Sequence, residues 1–136
     1  MTCQIRYYTR SGNTEKLARA IAEAVEQTAQ TVESPLSQKT DILFLGCSYY
    51  AFDMDEAVKK FITENKDHID TIVCFGTSAM MKSMKKTLRK VIEGTGITLS
   101  EEEFHCRGEF GPFHKGHPNE KDLRLAAEFA KKIVNQ

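Results

Sequence analysis

The sequence lacks the features that mark secreted, membrane-spanning or disulfide-linked proteins. No apolar run approaches the roughly 20 residues needed to cross a bilayer, and no basic segment at the N-terminus leads into an apolar stretch. The four cysteines contain no CxxC pair, and their spacing fits neither a zinc site nor a redox dithiol. We therefore expect a cytoplasmic protein whose cysteines act mostly as small hydrophobic residues.

The formal net charge is zero, because 19 lysines and arginines balance 19 aspartates and glutamates. This balance gives no overall attraction to nucleic acid, so we expect no nucleic-acid partner. We also expect no membrane partner and a monomer. The length of 136 residues predicts one domain, residues 1–136, with a single core.

Two hydrophobic periodicities alternate along the chain. Strands are predicted at residues 5–8, 31–33, 41–47 and 71–76, with a split last strand at 97–99 and 104–106. Helices are predicted at residues 13–27, 55–65, 80–92 and 120–134. This alternation predicts a doubly wound α/β fold, a three-layer sandwich around a five-stranded parallel sheet of order 2-1-3-4-5.

Ligands of such sheets bind at the carboxyl ends of the strands, where the strand order reverses. Three loops follow the strong strands, at residues 9–14, 48–54 and 77–80. We therefore expect the functional site to be built from these three loops.

The first loop has the composition of a phosphate-binding turn. Hydroxyl groups come from Thr9, Ser11 and Thr14, and the loop runs directly into a helix, whose N-terminus favours an anion. Gly12 permits close backbone approach, and Asn13 tolerates a left-handed conformation. The alternative is an ordinary turn with a helix cap, since these residue types dominate turns in general.

Several other phosphate chemistries are excluded by single residues. A nucleotide P-loop requires a lysine where Asn13 stands, and the dinucleotide pattern GxGxxG is absent. A tyrosine phosphatase of low molecular weight would need a cysteine in the first loop, and a response regulator would need an aspartate at Gly46-Cys47. A terminal phosphomonoester bound without lysine is the remaining match.

These residues resemble a known family. The segments that carry the resemblance are 7–14 with 16–18, 46–50, 75–77, 106–108 and 116–123. Together they are similar to flavodoxins and to small flavodoxin-like proteins of anaerobic bacteria, across essentially the whole chain. The resemblance implies a flavodoxin-like fold and flavin mononucleotide (FMN) as cofactor, with its phosphate bound by the first loop, Thr9, Arg10, Ser11, Gly12, Asn13 and Thr14.

The resemblance also implies that the second and third loops contact the flavin. The expected cofactor-binding residues there are Ser48, Tyr49, Tyr50, Ala51, Phe52, Thr77, Ser78 and Ala79. Tyr50 matches the family position for a flavin contact best, whereas Phe52 stands where many relatives have glycine. The aromatic rings either stack on the flavin or close the core beneath the loop. Arg10 is another departure, and either pairs with the phosphate or points to solvent.

The helix after the third loop has a basic outer side. It carries five cations with no acidic residue among them: Lys82, Lys85, Lys86, Arg89 and Lys90. This side is either a solvated face or a docking patch for an acidic redox partner. His114 and His117 lack a third ligand in the sequence, and no metal site is predicted.

The leading interpretation is an FMN-binding electron-transfer protein that shuttles electrons between redox partners, with no catalytic side chain. Whether it also has a substrate of its own is left open. One alternative is an FMN-dependent reductase of a small substrate such as a quinone or a tetrapyrrole. Another is a flavin-free interaction module that keeps the fold.

Overall fold

The computed structural model describes residues 2–9, 12–46, 49–50, 53–77, 85–106, 116 and 118–136, of which 49–50 and 53–54 are described by their backbone alone. The strands are β1 (Cys3–Tyr7), β2 (Ala29–Thr31), β3 (Thr40–Gly46), β4 (Tyr49–Tyr50), β5 (Asp53–Met54), β6 (Ile69–Thr77), β7 (Thr98–Leu99) and β8 (Phe104–Cys106). The helices are α1 (Asn13–Ala24), α2 (Glu56–Asn65), α3 (Lys85–Ile92) and α4 (Glu120–Val134), with a 3-10 turn at Lys66–His68.

The main sheet is parallel throughout and has the order β2-β1-β3-β6, with β7 and β8 both paired to the outer edge of β6. Counting β7 and β8 as one split strand, the predicted order 2-1-3-4-5 is confirmed. The pair β4 and β5 forms a separate antiparallel hairpin. Its strands of two residues each were not predicted, because alternation over so short a segment gives no signal.

Strand β3 shows why the sheet is covered on both faces. Leu43 and Leu45 pack into one apolar cluster with residues of α2 and α3, while Phe44 packs into a second cluster with residues of α1 and α4. All three side chains are fully buried. The near-continuous apolar run of β3 therefore corresponds to a strand between two helical layers, as the sequence predicts.

The split in the last strand is visible in the register. Thr71 and Ile72 of β6 pair with Thr98 and Leu99, and Phe75 pairs with Phe104. Three steps along β6 are thus matched by five steps along the split strand. The two additional residues displace the chain from the ladder between β7 and β8, so the bulged strand predicted from the sequence is confirmed.

The boundaries of β2 differ from the prediction. The strand covers Ala29–Thr31 instead of residues 31–33. Pairing ends where Thr31 meets Tyr7. Beyond that point Val32 still donates its N–H to the Tyr7 carbonyl at 3.0 Å, but it lies in a turn with its side chain in the core, only 9% exposed. The buried side chain of Val32 thus gave the sequence pattern of a strand, although Val32 lies just beyond the end of β2.

Within the described ranges, no helix has both the length and the apolarity needed to span a membrane.

Candidate functional site

The first loop links β1 to α1 through a glycine in a left-handed conformation. Gly12 has φ +88° and is the N-cap of α1. Its N–H donates to the Thr9 Oγ1 at 2.9 Å, which closes the turn. The sequence assigned Gly12 to close backbone approach, and the positive φ adds a conformational requirement for glycine. Arg10 and Ser11 lie outside the described residues.

The start of α1 differs from the other helix starts that the structure describes. Helix α2 begins at Asp55, whose carboxylate accepts from the Ala57 N–H at 3.0 Å. Helix α4 begins at Asn119, whose side-chain oxygen accepts from the Asp122 N–H at 2.9 Å in a capping box. Because Gly12 has no side chain, the N-cap residue itself supplies no acceptor to the first turn of α1. The positive end of a helix dipole favours an anion at such a position.

A pair of buried hydroxyl groups connects the first loop to the end of β6. Thr14 is fully buried and Thr77 is 5% exposed, and their Oγ1 atoms lie 3.4 Å apart. Asn13 is also buried, at 8% exposure. The structure therefore brings together Thr9, Gly12, Asn13, Thr14 and Thr77, which the sequence assigned to two different loops.

Gly46 ends β3 next to this pair of threonines. A Cβ atom at this position would lie 2.6 Å from the Phe75 Cζ and 2.9 Å from the Thr14 Cγ2. Both distances are shorter than real Cβ contacts. Glycine at this position therefore lets the Phe75 ring and the first turn of α1 pack against the end of β3.

The other predicted site residues are described only in part. Tyr49 and Tyr50 form β4 and pair with Met54 and Asp53 of β5, but their side chains are outside the description. The remaining predicted residues lie outside the described ranges: Ser48, Ala51, Phe52, Ser78 and Ala79. Their contacts with a flavin stay predictions.

Sequence reasoning missed one interaction that fixes β1 to α1. The Tyr7 hydroxyl donates to the Glu15 Oε1 at 2.7 Å, and Arg19 lies 3.5 Å from the same oxygen. Burial raises the pKa of Tyr7, as does the nearby Glu15. The hydrogen bond from Tyr7 lowers the pKa of Glu15. The sequence does place a tyrosine at the end of β1 and a glutamate in the first turn of α1. It gives no indication that these two side chains are in contact.

The basic side of α3 is partly neutralised by a neighbouring carboxylate. Lys85 Nζ and Arg89 Nη2 lie 3.8 and 3.6 Å from oxygens of Glu101. Lys86 and Lys90 are exposed, and no acidic side chain of the described residues lies within ion-pair distance of either. Lys82 lies outside the described residues.

Comparison with known proteins supplies the family. A model described as the flavodoxin domain matches residues 4–104. The chain belongs to the flavodoxin family. This flavodoxin-family chain is also 30% identical to an uncharacterised protein of Methanocaldococcus jannaschii, over 90% of each chain. The resemblance found in the loops is therefore confirmed at the level of the family.

Solved flavodoxins share the same fold. One from the domain Archaea superposes with a TM-score of 0.76 at 17% identity, covering 99% of this chain and 97% of that one. Flavodoxin 1 from Bacillus cereus superposes with a TM-score of 0.73 at 18% identity, covering 100% of this chain and 99% of that one. The family match supports a flavin-type redox protein in general terms.

Proposed function

We propose that this chain binds FMN non-covalently, with the phosphate at the first loop, and carries electrons between redox proteins. Gly12 is the observation that carries the proposal. It opens α1 directly after β1, beside the crevice between β1 and β3 where the strand order reverses. Apart from its two chain neighbours, no heavy atom of the described residues lies within 4 Å of the position that a Cβ of residue 12 would take. The helix end therefore offers both the field and the space for a phosphate.

Several residues around Gly12 fit this role. The Thr9 hydroxyl accepts from the Gly12 N–H, so its own proton can be donated to a phosphate oxygen. Thr14 and Thr77 hold the start of α1 against β6. Bound FMN would supply the one- and two-electron chemistry that a carrier requires. The protein would bind the phosphate, orient the ring system and exclude water from it.

A charge placed at residue 12 tests the phosphate site. Gly12→Asp adds a carboxylate at a positive φ, where aspartate and asparagine are less strained than other non-glycine residues, so the helix should still form at some cost in stability. We expect FMN affinity to fall roughly a hundredfold, because two like charges about 5 Å apart repel by about 3 kcal/mol at an effective dielectric constant of about 20. Riboflavin, which lacks the phosphate, should lose much less. Titration of flavin fluorescence measures both affinities.

Two matched variants isolate the effect. Gly12→Asn has nearly the same shape without the charge and should retain most of the FMN affinity. Gly96→Asp places the same side chain at a second glycine of positive φ, +84°, and should leave both affinities unchanged. Equal losses for FMN and riboflavin in Gly12→Asp would contradict the phosphate assignment. A purified protein that takes up neither flavin would overturn the cofactor itself.

The exposed lysines of α3 extend the proposal to the partner. We propose that Lys86 and Lys90 form part of a docking surface for acidic redox proteins, since neither has an acidic neighbour among the described residues. Charge complementarity of this kind mainly raises the association rate and makes it sensitive to salt. Glu101 fixes the neighbouring cations Lys85 and Arg89 instead.

Small charged oxidants can probe this surface without knowledge of the partner. The double variant Lys86→Glu/Lys90→Glu should slow reoxidation of the reduced, FMN-loaded protein by ferricyanide at low salt. It should not slow reoxidation by a cationic cobalt(III) hexaammine complex. The control Lys39→Glu/Lys131→Glu changes the same charge on exposed lysines outside α3. Equal slowing by both double variants would refute a local effect of α3.

The distinction between carrier and reductase needs a separate measurement. We expect the FMN-loaded protein to show no sustained turnover of reduced nicotinamide with a quinone. Steady turnover would favour the enzyme alternative over electron transfer.

A further inference from the structure

Three side chains with metal-binding atoms meet beside the split strand, outside the flavin site. They are Cys74 of β6, Glu103 of the bulge and His105 of β8. The Cys74 Sγ, a carboxylate oxygen and a ring nitrogen all lie within 4.8 Å of one another. The His105 Nε2 is 3.6 Å from the Glu103 Oε2.

His105 is the unusual member of this group. Its side chain is 9% exposed, and both ring nitrogens are buried without a hydrogen-bond partner among the residues that the structure describes. A buried polar group in this state costs free energy that native structures normally avoid. The Glu103 carboxylate, at 3.6 Å, is too distant for a hydrogen bond and leaves the imidazole unsatisfied.

The register of the split strand creates the group. His105 pairs with Gly76, which lies two residues after Cys74 and therefore on the same face of β6. Cys74 belongs to the apolar cluster shared with α2 and α3. Gly76 contributes no side chain, so the imidazole can lie across this position towards the thiol. The two additional residues before β8 bring Glu103 to the same place.

We propose that Cys74, Glu103 and His105 bind a divalent transition-metal ion, with zinc as the best chemical match. A thiolate, an imidazole and a carboxylate are all established zinc ligands, whereas magnesium and calcium prefer oxygen ligands alone. Neighbouring ligands of a tetrahedral zinc ion are roughly 3.4 to 3.7 Å apart at the usual bond lengths. The His105–Glu103 separation of 3.6 Å is close to this range. The Cys74 Sγ lies within 4.8 Å of both partners, so a shift of about 1 Å would bring it to the ligand spacing.

Binding has a defined proton balance. The Cys74 thiol gives its proton to solvent and the sulfur binds as thiolate, while neutral His105 and the Glu103 carboxylate bind without further chemistry. Three protein ligands leave a fourth position, which water would fill. Formation of the site therefore releases one proton and involves no change of oxidation state.

Cobalt(II) and zinc(II) titrations of the full-length protein test the site, with FMN added to saturation. We expect one equivalent of cobalt(II) to produce the intense near-ultraviolet absorption of a cobalt–thiolate bond, and zinc(II) to displace it. Cys74→Ser should abolish this absorption, and His105→Gln should weaken zinc binding tenfold or more in competition with a chromogenic chelator. Glu103→Gln is a third variant, and it should also weaken zinc binding. The Glu103 side chain is 21% exposed, so this substitution is less disruptive to folding than changes at the more buried Cys74 and His105.

Matched controls separate this site from other thiols and imidazoles. Cys3→Ser and His68→Gln change the same residue types outside the group and should leave zinc affinity unaltered. His114→Gln/His117→Gln removes the histidine pair noted in the sequence and should also retain it. A cobalt spectrum without thiolate absorption in the wild-type protein would overturn the proposal. So would zinc affinity that is lost with the His114/His117 pair but unchanged in His105→Gln and Glu103→Gln.

Discussion

Two buried polar groups on opposite faces of β6 differ in whether they have a hydrogen-bonding neighbour. The Thr14 hydroxyl is 3.4 Å from the Thr77 hydroxyl, which ties α1 to β6 at the first loop. Within the described part of the chain, the two ring nitrogens of His105 have no hydrogen-bond partner, although Glu103 lies 3.6 Å away. Burial lowers the pKa of His105, and Glu103 opposes that shift. The Thr14–Thr77 hydroxyl pair is satisfied within the folded chain, whereas the His105 ring would be satisfied only by the proposed metal ion. Four substitutions sharpen this contrast.

The largest expected effect is at Gly46. Gly46→Ala would place a Cβ 2.6 Å from the Phe75 ring and 2.9 Å from the Thr14 Cγ2. Overpacking of this kind costs roughly 1–3 kcal/mol. We expect the free energy of unfolding to fall by about that amount in urea titrations, together with weaker FMN binding because Thr14 is displaced. Gly46→Ala/Phe75→Leu should recover part of the stability. An unchanged midpoint for Gly46→Ala would show that the packing at this end of β3 is loose.

The second effect has the opposite sign. In the absence of metal, His105→Leu should stabilise the protein by about 1 kcal/mol, because an unsatisfied buried polar group is replaced by an apolar one. Urea unfolding at neutral pH with a chelator present measures this difference. Addition of zinc should stabilise the wild-type protein and leave the variant unchanged. A variant less stable than the chelated wild type would mean that the ring has a favourable role of its own.

Thr14 provides the matching experiment for a satisfied group. Thr14→Val keeps the shape and removes the hydroxyl, which leaves the hydroxyl of Thr77 without this neighbour. We expect a loss of roughly 1 kcal/mol. The double variant Thr14→Val/Thr77→Val should lose less than the sum of the single losses, because both remove the same interaction. Strict additivity in the unfolding data would argue against a shared hydrogen bond.

The smallest effect concerns Tyr7 and Glu15. In Tyr7→Phe the pKa of Glu15 should rise towards its ordinary value, because the hydrogen bond that lowers it is lost. A lowered pKa favours the folded state above the unfolded pKa of about 4.3, and this contribution disappears as pH falls through the folded pKa. The variant should therefore lose stability less steeply below about pH 4.3. NMR titration of the Glu15 carboxyl tests this directly, with Glu23 of the same helix as an internal reference.

The contrast between the two regions also explains what the sequence could predict. The first loop is contiguous, and its hydroxyl groups, glycine and following helix form one pattern around Gly12. The pairing of Thr14 with Thr77 depends on the sheet order, which the alternation of strands and helices already predicts. A common role for residues 9–14 could therefore be predicted from their spacing and position, and phosphate binding by them stays a prediction.

The group at His105 had no comparable signal. Cys74 and His105 are far apart in sequence and meet only because β8 pairs with Gly76 in one particular register. A shift of one residue would turn the imidazole to the other face of the sheet. The sequence predicted a bulge between β7 and β8 but not how many residues it adds, and this number sets the register of β8 against β6. Cys74 was therefore interpreted as a small hydrophobic residue. Tyr7 and Glu15 were missed for a similar reason, since contact between a strand end and a helix turn depends on packing.

The interruption between β7 and β8 also affects whether the edge of the sheet can pair with a second copy of the protein. An outer strand with a long apolar run is a template for pairing with a second molecule. Here that strand is reduced to pieces of two and three residues, with three consecutive glutamates between them, Glu101, Glu102 and Glu103. Glu101 contacts the cations of α3, and Glu102 lies 3.8 Å from Lys132 of α4. Glu101 and Glu102 are thus held at the sheet border by the two helical layers, where their charges disfavour edge pairing with a second copy of the protein.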